Sequence, residues 1–248
     1  MHFKVLNRSL VLLIIQLVLI LGVIYNPLYA QEPKSIGINV GATYSGFRGN
    51  DFFEDYKYGL DFLIGVSYGL ELSERLDVFA ELNYERKSTQ RIYEQAYIDE
   101  NGNVTIIGNP IGSPSSERPE FKFQSRFDYL TLPVSIKYYF SKKRTFYINT
   151  GAFVGLLLNQ KNIDDGEDAE LFLNPQFDTI DYGIVLGVGY DIYIDDYNTM
   201  SITLRNALGF NDIDNFGKQS PYHTTRSNSL NLILTWNFLF KSQYEDSF

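Results

Sequence analysis

From Asp128 to Phe140 apolar and polar positions alternate with period two. Leu130, Leu132, Val134, Ile136, Tyr138 and Phe140 fall on one side, and Tyr129, Thr131, Pro133, Ser135, Lys137 and Tyr139 on the other. Period two belongs to a β-strand. An ordinary strand has about five or six residues, whereas crossing a bilayer at a tilt takes roughly 9–11. This stretch is long enough to cross. Seven others repeat its logic: Ile36 to Gly46, Leu60 to Leu70, Asp77 to Glu85, Phe146 to Leu156, Asp181 to Ile192, Met200 to Phe210 and Leu230 to Phe240. Only Asn206 breaks the apolar side of the stretch that begins at Met200.

The connections alternate in length as well. Those after the first, third, fifth and seventh stretches are long, and those after the second, fourth and sixth are short. A membrane barrel with both termini in the periplasm has this rhythm of outer loops and inner turns. Strands in lipid must also close into a ring, because every backbone group needs a partner there. The pattern therefore predicts an all-β fold, an eight-stranded antiparallel up-and-down transmembrane β-barrel. The longest connection, Lys87 to Gln124, holds Asn101-Gly102 between extended segments, which predicts a hairpin with a two-residue turn. Pro110, Pro114 and Pro119 predict an irregular remainder.

Eight strands also build soluble, lipocalin-like containers, with apolar side chains inside. The polar set argues the other way. It is rich in Gly, Ser, Thr and Asn and poor in Lys, unlike a solvated surface, and small residues suit the narrow lumen of eight strands. The apolar set is bulky and uncharged, with Tyr and Phe towards strand ends as in interfacial girdles. Outer-membrane lipid is the partner this predicts.

The inward set carries Asp61, Asp77, Glu81, Lys137 and Arg205. Isolated buried charges are costly, so opposite charges in a narrow interior should pair. Glu81, Lys137 and Arg205 are expected to form a plug across the lumen. The alternative places all five charges in interfacial water.

One stretch also carries a resemblance. Tyr129, Leu130, Pro133, Lys137, Tyr138, Tyr139 and Phe140 together resemble the most recognisable strand of the PorT-like outer-membrane β-barrel proteins of Bacteroidetes. The resemblance implies the outer membrane of a Gram-negative bacterium. It also implies, as one possible role, an accessory part in the secretion apparatus that some PorT-like proteins serve, with other outer-membrane or secretion-system proteins as partners.

The N-terminus fits export. Lys4 and Arg8 precede an apolar run from Leu10 to Tyr25, and Ala30 leads into polar Gln31 and Glu32. Residues 1–30 read as a secretory signal peptide and residues 31–248 as the barrel. Leu28 is bulky where a small residue is usual, and an uncleaved helical anchor is the other reading of the segment. Removing 1–30 takes away two cations and no acids, so the net charge goes from −9 to −9 − 2 = −11. Such a chain has no use for nucleic acid. The absence of cysteine excludes both a disulfide framework and a lipidated N-terminal cysteine.

Little in the sequence points to chemistry. His223 is the one histidine beyond the signal segment, and near Ser220 and Ser227 it is the sole candidate for a nucleophilic site. A loop histidine among hydroxyl residues is usually solvated, so no enzyme is predicted. Asp99, Asn101 and Asn103 resemble part of a calcium loop, but Val104 stands where glycine is needed. The acidic run Asp164, Asp165, Glu167 and Asp168 reads as a solvated loop. No cofactor or metal is predicted. Function falls to the long outer loops on a rigid scaffold, as a structural or interaction protein. A small porin-like channel is the further alternative.

Overall fold

The computed structural model describes residues 35–49, 57–93, 96–98, 104–106, 121–164, 167–168, 177–213 and 224–240. Residues 1–30, read above as a signal peptide, lie outside these residues. Eleven strands follow one another: β1 (Ser35–Arg48), β2 (Lys57–Ser73), β3 (Leu76–Tyr93), β4 (Ala96–Ile98), β5 (Val104–Ile106), β6 (Phe121–Tyr139), β7 (Phe146–Asp164), β8 (Glu167–Asp168), β9 (Ile180–Tyr193), β10 (Asn198–Gly209) and β11 (Arg226–Leu239). β4 and β5 pair as a separate hairpin, and β8 returns two residues onto β7. The other eight run β1-β2-β3-β6-β7-β9-β10-β11, each antiparallel to its neighbours, and β11 pairs with β1. The ring is closed, as the alternation predicts. Asn101-Gly102 lies outside the described residues, but the two arms that flank it do pair.

The two registers face opposite ways, and the apolar one faces out. Leu186 is 60% exposed and Leu232 53%, whereas Asn39 and Asn231 on the polar register are 1% exposed. A soluble container would reverse this distribution. A predominantly apolar exterior over a polar, hydrogen-bonded interior is stable only when hydrocarbon surrounds it.

The structure corrects the strand lengths. β3 runs on past Glu85 to Tyr93, and β6 begins at Phe121, so much of the expected loop from Lys87 to Gln124 is ladder. The alternation fades there because the chain has left the hydrocarbon. The ladder continues without apolar side chains to mark it. Irregularities add to this, with register shifts between Tyr58 and Leu63 in β2 and between Asp128 and Tyr129 in β6. Each shift changes which residues share a face. A further departure stands opposite Pro133, where β3 pairs through Ala80 and resumes at Asn83. Proline brings no N–H to that ladder.

The short turns are tied together at one end. Arg144, at φ 52° in the β6–β7 turn, donates to Glu71 and to the carbonyls of Ser73 and Glu74. It also pairs with Asp77. These bonds hold a non-glycine residue in the left-handed region. In the β9–β10 turn Asp195 accepts the Tyr197 N–H at 2.8 Å and the Asn198 amide at 2.9 Å. The backbone bond, and then the Asn198 amide, hold its carboxyl below the ordinary 3.8. A folded value below the unfolded one stabilises the turn above pH 3.8, an effect lost as pH falls through the folded value. An NMR titration of Asp195 should find it ionising below 3.8, and Asn198→Ala should move it back towards that value.

Candidate functional site

The lumen is built from inward side chains in layers. Nearest the short turns, Asp191 accepts the Tyr139 hydroxyl at 2.8 Å and the Ser201 hydroxyl at 2.6 Å. Ser201 in turn accepts the Asn237 amide at 2.9 Å. Strands β6, β9, β10 and β11 each supply one of these groups, so the layer binds half the ring.

The middle layer holds the first buried ion pair. Arg205 on β10 donates to Glu81 on β3 at 2.6 Å, and both side chains are shielded from water. Asn83 donates to the other Glu81 oxygen at 2.9 Å, and Asn39 donates to Asn83 at 3.0 Å. Lys137 lies beside this pair in a different kind of contact. Its ammonium sits 3.7 Å from the centre of the Phe79 ring and 4.4 Å from that of Tyr147. The quadrupoles of two ring faces stabilise that cation. Among the described residues no carboxylate comes within ion-pair distance of it. Tyr147 is fixed by a 2.6 Å hydroxyl contact with Thr203, and Gly189 lies under its ring. A Cβ at Gly189 would sit 2.3 Å from the tyrosine hydroxyl. Gly189→Ala is therefore expected to push the ring off Thr203 and lower the unfolding free energy by about 1–3 kcal/mol, measurable by urea titration in vesicles.

Above this, Glu85 accepts Ser229 and Asn231, each at 3.1 Å. A second ion pair follows, Lys87 to Asp181 at 3.2 Å, with Ser227 donating to the same Asp181 oxygen at 2.6 Å. Lys87 also lies 5.0 Å from the Tyr129 ring centre and 5.2 Å from that of Phe153. Phe47, Phe127 and Phe177 close over this layer, with centroids 4.8 to 5.8 Å apart. The middle layer leaves a cavity of ≈ 10 Å³, lined in part by Glu81, Lys137 and Arg205. That is about the room of one water.

The five charges singled out from the sequence separate into three places. Glu81 and Arg205 bond directly, and Lys137 shares their layer. Asp77 goes to Arg144 at the turn end. Asp61 lies at the β2 irregularity, in the field of Arg126, Arg86 and Asp128, away from the middle layer. Lys87 and Asp181 are the pair the sequence analysis does not single out. Asp181 lies on the predicted inward register, but its partner falls within the predicted connection from Lys87 to Gln124. Carrying the alternation two residues past Glu85 would have placed Lys87 inside.

His223 and Ser220 lie outside the described residues, and Ser227 is committed to Asp181 within the lumen. Among the described residues no His, Cys, Asp or Glu side chains gather as a metal-binding group. Asp99, Asn101, Asn103 and Asp165 lie outside those residues.

Residues 29–215 match the family described as "Outer membrane protein beta-barrel domain". Among curated proteins none matches the chain. Three solved structures illustrate the likeness. OprG from Pseudomonas aeruginosa is 11% identical, with 84% of this chain and 97% of that one covered at a TM-score of 0.42. Neisserial surface protein A is 15% identical, with 83% and 97% covered at 0.39. Ail, the attachment invasion locus protein of Yersinia pestis, is 12% identical, with 84% and 100% covered at 0.37.

Proposed function

The chain belongs to the outer membrane protein β-barrel domain family, and from that premise we propose a non-enzymatic barrel that acts through its long extracellular connections as a structural or interaction protein. It resides in the outer membrane of a Gram-negative bacterium. The observation that carries the proposal is the filled lumen. Two buried ion pairs, the Lys137 ring clamp and the aromatic cap occupy the space a conducting pathway would need. A small channel needs that space open. Contact with other molecules then falls to the far ends of the long strands, where β4 and β5 add a hairpin of their own.

A second reading, as an accessory component of a protein secretion apparatus, rests on the resemblance in β6 to PorT-like proteins. The structure bears on what that motif does. Tyr129, Pro133, Lys137 and Tyr139 are buried, and Leu130, Tyr138 and Phe140 lie on the lipid-facing register. The motif specifies barrel interior and girdle, so a partner would be met by other residues. Mild cross-linking in the native outer membrane, followed by identification of what copurifies, tests both readings. Stoichiometric secretion-machinery proteins would support the second. Reproducible partners of other kinds would support the first. Steady ion conductance of the purified barrel in planar bilayers would overturn both in favour of a channel.

A further inference from the structure

On an acidic chain, cations collect in one unexpected place. Following the outward register of β1 towards the long-connection end, the apolar run ends at Tyr44, and Gly46 and Arg48 come next. On β11 the same register passes from Leu230 to Asn228 and then Arg226. Arg48 and Arg226 are direct partners across the β1–β11 ladder. Like charges opposed in this way repel, and no described residue pairs with either as a counter-ion. Among the described residues Arg48 donates only to the Gly209 carbonyl, at 2.7 Å, and the Arg226 guanidinium makes no hydrogen bond or ion pair. The Nε atoms of both are buried without a partner. Asp212, a nearby carboxylate, accepts the Thr225 N–H.

The surroundings hold this pair at a polar step on the lipid-facing wall. Tyr58 lies across Gly46, where a Cβ would meet its ring at 2.3 Å, and accepts the Asn228 amide at 2.7 Å. Asn206 donates to Asn228 at 2.9 Å. This ladder also explains the break at Asn206 in an otherwise apolar stretch. Two strands from β1, Arg86 on the outward register of β3 is instead paired with Asp128 at 2.7 Å. That contrast sets Arg48 and Arg226 apart as cations without an anion among the described residues.

We propose that Arg48 and Arg226 form a site for a phosphate group of the outer-leaflet glycolipid, lipid A. Three observations select a lipid phosphate. The pair sits on the lipid-facing register, immediately beyond the apolar band, at the end that bears the long loops. That is the depth of outer-leaflet headgroups. Two guanidinium groups side by side also offer the bidentate donors that phosphate accepts best. Finally, an anion between them removes the repulsion that the ladder imposes.

The test uses the full mature barrel refolded in a neutral detergent, with binding followed by native mass spectrometry. The probes are phosphorylated lipid A, its dephosphorylated form and inorganic phosphate. Phosphorylated lipid A should bind at least tenfold more tightly than the dephosphorylated form, and Arg48→Gln with Arg226→Gln should abolish that difference. Without lipid the double variant should unfold no earlier than the parent, since it relieves a repulsion. Should the double variant fail to fold, Arg226→Gln alone is informative, because Arg226 has no partner among the described residues to lose. Equal binding of the two lipids, unchanged preference in the variant, or full competition by millimolar inorganic phosphate would each overturn the proposal.

Discussion

Arg205→Met is expected to destabilise the barrel by about 3–5 kcal/mol, the range for stripping one partner from a buried ion pair. The substitution strands Glu81 in the lumen with Asn83 as its remaining donor. Lys137 lies close enough for its charge to reach Glu81, which sets the loss towards the lower end. Removing both charges, as Glu81→Leu with Arg205→Met, should recover most of it, because an apolar pair of similar volume removes the desolvation cost together with the attraction. Trp236, the single tryptophan, sits on the outer wall and reports urea unfolding from vesicles through its emission. Conductance should be read on the same preparations. If the single and double variants match the parent in both stability and conductance, Glu81 and Arg205 are not a plug.

The same pair shows how far the sequence could be read. The barrel was legible because hydrocarbon imposes one rule on every strand: apolar out, polar in, no unpaired backbone. Eight stretches from Ile36 to Phe240 obey it, and strand order follows from loop lengths alone. Pairing within the lumen obeys no such rule. Glu81 and Arg205 are 124 residues apart, and which inward charges share a layer depends on the stagger of strands around the ring. Register is not written in the alternation. Asp61 illustrates the point: Ser67 is the β2 residue opposite Glu81, so Asp61, on the same inward register, lies six residues further along the strand from the expected network. Lys87 was missed for the opposite reason. It lies where the lipid no longer enforces alternation, so a buried lysine looked like part of a polar loop.

Lys87→Met should therefore cost more than Lys137→Met, although the sequence singles out only Lys137. Asp181 is fully buried and its carboxylate faces Lys87 and Ser227. Without the ammonium, Ser227 alone must hold that charge, and breaking a buried pair in this way costs about 3–5 kcal/mol. Lys137→Met leaves no carboxylate stranded. The ammonium rests on Phe79 and Tyr147, and a thioether also packs favourably against aromatic rings. Its loss should cost about 0.5–2 kcal/mol, the scale of a cation–π contact. Urea midpoints of the two variants, compared at equal slope, decide the order. Adding Asp181→Asn to Lys87→Met should restore stability, since the amide keeps the Ser227 hydrogen bond without a charge to neutralise. A Lys137 variant as damaging as the Lys87 variant would mean that Lys137 carries an ion pair after all, and that the middle layer is a three-charge network.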